Sequence, residues 1–273
     1  MRTESHVLNE IHAHRYRGDG ADYALVISHG LGGHGGIYDR FCEHHAARGA
    51  DIWSYDAPGH GRSTTNRPRG TWEMSEWAQA SRDYAAHVNN TTGLPVFTLG
   101  SSLGVAASIS AIDSPAVTGA ILMGSLAVPG SPLLADRAAP WRSPEFSQII
   151  DQLGRGARLD IPTFFDFDVD YGYSGATEQK KLDPYNTWSY DLASWASFFQ
   201  YDPPQALADN AKPILYAAGE KDALAPRAAV EMMVKGIGGP VEIEVVPDAP
   251  HQLMLFATET FSDLVHTFCT KNS

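Results

Sequence analysis

Short runs of β-branched and apolar residues recur along the chain, each followed by a turn and then by a longer stretch with apolar positions every three or four residues. The short runs, at 24–28, 52–55, 96–99, 120–123, 214–217 and 241–246, read as buried strands. The longer stretches, at 37–48, 74–91, 103–112, 227–235 and 258–268, read as amphipathic helices, several opened by Ser, Pro or Thr near the cap position. Strand and helix in alternation imply right-handed crossovers and a mainly parallel sheet covered on both faces. Ligands of such sheets bind beyond the carboxyl ends of the strands, so chemistry is sought in the loops that follow them.

The alternation fails from about 126 to 209. That segment is rich in Pro and Asp, and half of all the Phe, Tyr and Trp residues lie between Trp141 and Tyr201. It reads as an inserted helical cap (126–209) between two parts of an α/β core, 1–125 and 210–273, with aromatics that as a set line a pocket. There is no internal repeat and no low-complexity tract.

Composition narrows the function classes. Of the 273 residues, 43% are hydrophobic and 19% charged, an ordinary globular mixture that can bury a core without metal or disulfide staples. A formal charge of -12, with no Lys/Arg-rich run, repels nucleic-acid phosphates. Cys42 and Cys269 lack the spacing of a zinc or redox pair. The polar start of the chain has no apolar signal-like stretch, and no run approaches the roughly 20 apolar residues needed to span a bilayer. The expectation is a soluble cytoplasmic protein without an integral membrane segment.

Gly100-Ser101-Ser102-Leu103-Gly104 matches G-x-S-x-G between a predicted strand and a predicted helix. A serine forced into that sharp turn points outward at the sheet edge, and the flanking glycines remove Cβ atoms that would collide with neighbouring backbone. A serine hydroxyl is a weak nucleophile at neutral pH and needs a base, His first. Chain order in this architecture is Ser, then Asp or Glu, then His, which leaves His251 and His266. His266 falls inside the last helix, whereas His251 follows the last strand, so His251 is the candidate base. The acid is expected after the preceding strand, at Glu220 or Asp222, with Asp222 preferred and Asp248 a local rival. Developing negative charge on the attacked carbonyl oxygen needs preorganised donors, and the backbone N–H groups of Leu103 and Leu31 are the candidates. Leu31 lies in a glycine-rich loop, His29 to Gly36, that lacks the G-x-G-x-x-G of dinucleotide sites.

Together these residues resemble the α/β-hydrolase superfamily, and within it the branch of monoacylglycerol lipases and lysophospholipases. His29-Gly30-Leu31-Gly32 is similar to the branch's oxyanion loop, and Asp56-Ala57-Pro58-Gly59-His60-Gly61-Arg62-Ser63 to its structural turn, which implies an architectural His60. The elbow at 100–104, the acid loop at 219–226 and Pro250-His251 complete the match. The resemblance implies an α/β-hydrolase fold, a mainly parallel eight-stranded sheet flanked by helices, and a Ser102–His251–Asp222 triad. The chain departs from the branch in carrying Ser101, Leu103 and Gln252, where His, Met or Gln, and Glu are usual.

The reading that follows is a serine hydrolase cleaving a small to medium apolar or aromatic carboxylic ester through an acyl-Ser102 intermediate, with a small-molecule substrate, no cofactor and no metal. Lactone opening, carbon–carbon cleavage or perhydrolysis by the same constellation is the alternative, and a ligand-sensing receptor a third. Dehalogenase or epoxide-hydrolase chemistry would need an Asp where Ser102 stands.

Overall fold

A computed structural model describes residues 2–153 and 156–273, and its main sheet begins with a hairpin that the apolar pattern does not announce. Arg2–Leu8 (β1) and Ile11–Arg17 (β2) pair antiparallel from Leu8 opposite Ile11. Asn9 and Glu10 between them both take positive φ, 50° and 66°, as a tight two-residue hairpin loop requires. Tyr23–Ser28 (β3), Ala50–Tyr55 (β4) and Val96–Ser101 (β5) are buried at every position. Val117–Met123 (β6) follows, then a short ribbon of Arg158–Asp160 (β7) and Ser189–Asp191 (β8), and finally Ile214–Gly219 (β9) and Val241–Val246 (β10). The eight strands of the main sheet lie in the order β1-β2-β4-β3-β5-β6-β9-β10. The pairs β1–β2 and β2–β4 are antiparallel and all later neighbours are parallel.

Both faces are covered, and the two-residue period of a strand explains how. On β3, Ala24 and Val26 join one apolar cluster while Leu25 and Ile27 join another. Asp39–Ala46 (α1) packs in the second cluster, whereas Met74–Thr92 (α2) and the fully buried Val105–Ser110 (α3) pack in the first.

Between β6 and β9 the chain leaves the sheet. This segment carries Pro132–Ala138 (α4), Pro144–Leu153 (α5), Phe167–Tyr171 (α6), Ala176–Lys181 (α7), Leu192–Gln200 (α8) and the β7–β8 ribbon. Its ends are set by local chemistry. Ser131 accepts from the Leu134 N–H with Pro132 in the first turn of α4, and Asp191 accepts from the Ala193 N–H at the start of α8. Leu134, Ile161, Phe167, Tyr190 and Phe198 extend the cluster that contains α2 and α3. The chain then returns through β9, Arg227–Val234 (α9), β10, Leu253–Phe256 (α10) and Thr258–Asn272 (α11), the last two packing with α1 in the second cluster. No helix among the described residues is long and apolar enough to cross a membrane.

Candidate active site

Ser102 begins the single turn that joins β5 to α3, and its φ is +52°. An L-residue with a side chain rarely takes that conformation, which costs on the order of 1–3 kcal/mol unless the surroundings impose it. Here they do. A Cβ on Gly100 would stand 2.5 Å from the Val105 Cα, and one on Gly104 would stand 2.4 Å from the carbonyl oxygens of Ser28 and His29. Both glycines are therefore fixed by close backbone approach. Gly30, in the loop after β3, approaches Ser102 closely: a Cβ there would lie 3.1 Å from the Ser102 Cβ, tighter than ordinary contact.

Asp222 and His251 stand on the loops after β9 and β10, and both are buried. His251 Nδ1 donates to Asp222 Oδ2 at 2.8 Å, while the other carboxylate oxygen accepts from the Leu224 N–H at 2.9 Å. With Nδ1 carrying the proton, Nε2 is left as the free acceptor, the form a general base needs. Burial opposes charge on His251, but the Asp222 hydrogen bond and the carboxylates of Asp170 and Asp222 outweigh it, so its pKa is raised above 6.5. Nε2 has no hydrogen-bond partner among the described residues, so it is not bonded to Ser102 here. Such contacts are commonly loose without substrate and tighten when it binds.

The rival residues lie elsewhere. Glu220 accepts from the Asp248 N–H at 2.9 Å, and Asp248 is an exposed turn residue with φ 57° that pairs with Lys221. His266 sits on α11, with Nδ1 3.0 Å from the Tyr23 hydroxyl.

The sequence reading missed Asp170. It lies on α6, buried, with Oδ1 3.6 Å from His251 Nε2 and no hydrogen-bond partner for that oxygen among the described residues. Burial pushes its pKa up to about 6, reinforced by Asp222 and opposed by His251 and Lys180. Lys180 on α7 is buried too; it donates to Asn186 Oδ1 at 3.0 Å, and desolvation lowers its pKa to about 8. An aspartate inside an aromatic-rich segment carries no local motif; its nearness to His251 becomes visible only when α6 is seated against the His251 loop.

The loop of Leu31 is held from the insertion. The Gly32 N–H donates to the Tyr190 hydroxyl at 2.8 Å, and the Thr187 N–H donates to the Gly32 carbonyl at 2.9 Å. His60 Nδ1 donates to the Pro58 carbonyl, which leaves its Nε2 to accept the Tyr190 O–H at 2.7 Å. His60 is thus a structural acceptor, and burial drives its pKa well down. His29 is fixed likewise between the Gly30 carbonyl and the Ala57 N–H.

Two cavities meet at Ser102 and Leu31. One, of about 300 Å³, is largely apolar, with Leu103, Leu134, Phe164 and Phe198 in its wall. The other has room for about 10 Å³, roughly one water-sized group, beside Tyr38, Asp170, Lys180 and Gln252. A third cavity, of about 250 Å³, takes in Asp170, Asp222 and His251.

Among the described residues, His12, His14 and Asp56 form the one cluster with metal-type donor atoms, all within 4.8 Å of one another. Asp56 already accepts from the N–H groups of Gly35 and Arg62, each at 2.7 Å, and the Arg62 guanidinium lies 3.4 Å from His12 Nε2. That cluster ties the turn at 56–63 and has a cation of its own.

Comparison with known proteins places these features in context. The family model described as "Hydrolase_4: Serine aminopeptidase, S33" matches residues 19–257. A monoglyceride lipase homolog of monkeypox virus is 40% identical over 123 residues, 41% of this chain and 43% of the viral protein, so the match spans under half the length of that relative. A thermostable carboxyl esterase from Bacillus coagulans, in complex with glycerol, superposes with a TM-score of 0.75 at 16% identity over 98% of both chains. A soluble variant of the Saccharomyces cerevisiae monoglyceride lipase gives 0.76 at 14% identity, covering 100% of this chain and 96% of the other. The Paleococcus ferrophilus monoacylglycerol lipase gives 0.71 at 17% over the whole of both. At these identities the likeness shows the fold, which is that of the α/β-hydrolases.

Proposed function

The chain belongs to the Hydrolase_4 family (serine aminopeptidase, S33), and from that premise we propose that it hydrolyses carboxylic esters through an acyl-Ser102 intermediate. His251 Nε2 takes the Ser102 proton as Oγ attacks the ester carbon. The oxyanion is met by the N–H groups of Leu31 and Leu103, and His251 returns the proton to the leaving alcohol. Water then repeats the sequence on the acyl-enzyme. The observation that supports this most is the buried Asp222–His251 hydrogen bond on the sheet edge where Ser102 is held at positive φ. The insertion acts as a cap over that edge, and the cavity of about 300 Å³ suits an apolar or aromatic acyl group of medium size. The names of the viral relative and of the structural neighbours agree with an ester substrate.

Peptide-bond cleavage, suggested by the family's description, is the second reading. An aminopeptidase must hold the substrate's ammonium, and Asp170 is an acid of suitable position, but Lys180 shares its chamber and opposes a second cation. The test is fluorophosphonate labelling followed by assay of nitrophenyl esters of graded chain length beside aminoacyl nitroanilides. The expected result is an adduct on Ser102, ester turnover, and a loss in kcat of about 10⁴- to 10⁶-fold in Ser102→Ala. An adduct elsewhere, or a Ser102→Ala protein that turns esters over normally, overturns the reading.

A further inference from the structure

We propose that Asp170 is a further catalytic residue, which with His251 Nε2 seats the water that cleaves the acyl-enzyme. The proposal rests on the acyl-Ser102 reading and adds a step to it. Nε2 and Asp170 Oδ1 are both buried, neither has a hydrogen-bond partner among the described residues, and they lie 3.6 Å apart. Because Nδ1–H is committed to Asp222, Nε2 is an acceptor, and an ionised carboxylate oxygen is an acceptor too. Two acceptors cannot satisfy each other. A donor that completes both needs two protons on one oxygen, and an oxygen about 2.8 Å from each can bridge a 3.6 Å base with both hydrogen bonds somewhat bent. Water fits that description; an alcohol, with a single O–H, satisfies one acceptor and leaves the other stranded. Asp170 also lines two cavities, the water-sized chamber of Ser102 and the cavity of His251 and Asp222.

In the step itself, the water oxygen bonds to the acyl carbon while one O–H bond breaks and its proton passes to Nε2. The carbonyl electron pair moves onto the oxyanion, and the second O–H stays donated to Asp170. The intermediate then collapses, the bond from the carbon to Ser102 Oγ breaks, and Oγ takes the proton back from Nε2. The carboxylic acid product leaves, giving its proton to solvent. The seat therefore favours hydrolysis over acyl transfer to alcohols.

The test uses the full chain with Asp170→Asn, which keeps shape and removes the charged acceptor. Assays run about two pH units above the pKa of about 6, with a nitrophenyl ester and added methanol, and methyl ester and free acid are both quantified. The expected result is a fall in the hydrolytic rate of about ten- to a hundredfold and a comparable rise in the ratio of methyl ester to acid, since methanol never used Asp170. Fluorophosphonate labelling of Ser102 in the variant reports that the site is folded. A residue that merely supported the fold would lower both products together, so an unchanged ratio overturns the role of Asp170. If the wild-type protein takes no label on Ser102, the acyl-serine reading itself falls and the proposal falls with it; labelling with an unchanged ratio sinks the Asp170 step alone.

Discussion

At His251, two carboxylates act on one imidazole from opposite sides. Under the proposed mechanism His251 must be neutral to accept the Ser102 proton, so kcat/KM is expected to fall as pH falls through the His251 pKa. That pKa is raised, so the acidic limb of the rate profile is expected above pH 6.5. Asp170→Asn removes one of the groups that raise it, and the limb should move to lower pH; a pH series of kcat/KM on both proteins checks this. The residues around the elbow were legible because their signals are local. Gly100 and Gly104 stand two positions either side of Ser102, and the close approaches at both are the physical content of that pattern. Asp222 and His251 were legible from their places after the last two strands, although only the coordinates show that one hydrogen-bonds to the other. Asp170 was not, because nothing within α6 records that its neighbour is a histidine 81 positions later.

Among the elements, β8 has the largest reach for its length. Through the hydroxyl of Tyr190 it touches both the Leu31 loop and the turn of His60. Tyr190→Phe keeps the ring among Trp72, Trp195 and His60 and removes only the bridge. The expected outcome is a fall in kcat of about tenfold with little change in KM, smaller than the loss of an oxyanion donor outright. Affinity for a trifluoromethyl ketone, which mimics the tetrahedral state, should fall by the same factor. A packing role alone would lower the melting temperature and leave that affinity intact. The apolar runs foretold the six strands that carry the site, whereas β1 and β2 escaped them. The sequence of β2, Ile11 to Arg17, carries His12, His14, Arg15 and Arg17 and looks polar, yet Arg15 is buried because Asp51 of β4 takes its guanidinium. Tertiary pairing overrides the polar appearance, and no pattern within seven residues reveals it.

At the scale of the whole molecule, the apolar cluster of α1 and α11 is spatially separate from the cavity of about 300 Å³ at Ser102. The strand β3 is hydrogen-bonded on both sides and packs both faces, so Leu25→Ala is expected to cost about 2–5 kcal/mol in denaturant unfolding. Labelling of Ser102 in the folded fraction should stay unchanged, since Leu25 faces the cluster of α1 and α11 and lines neither cavity at Ser102. The formal charge of -12 stays within the described functional picture as a matter of solubility. The connection at Gly32 does cross that separation. Its amide and its carbonyl are both held by the segment between β6 and β9, so under the proposed function any displacement of that segment would also loosen the loop of Leu31. On that reading a guest too bulky for the segment to settle over it would meet a disturbed loop, and one that fits beneath it an intact one.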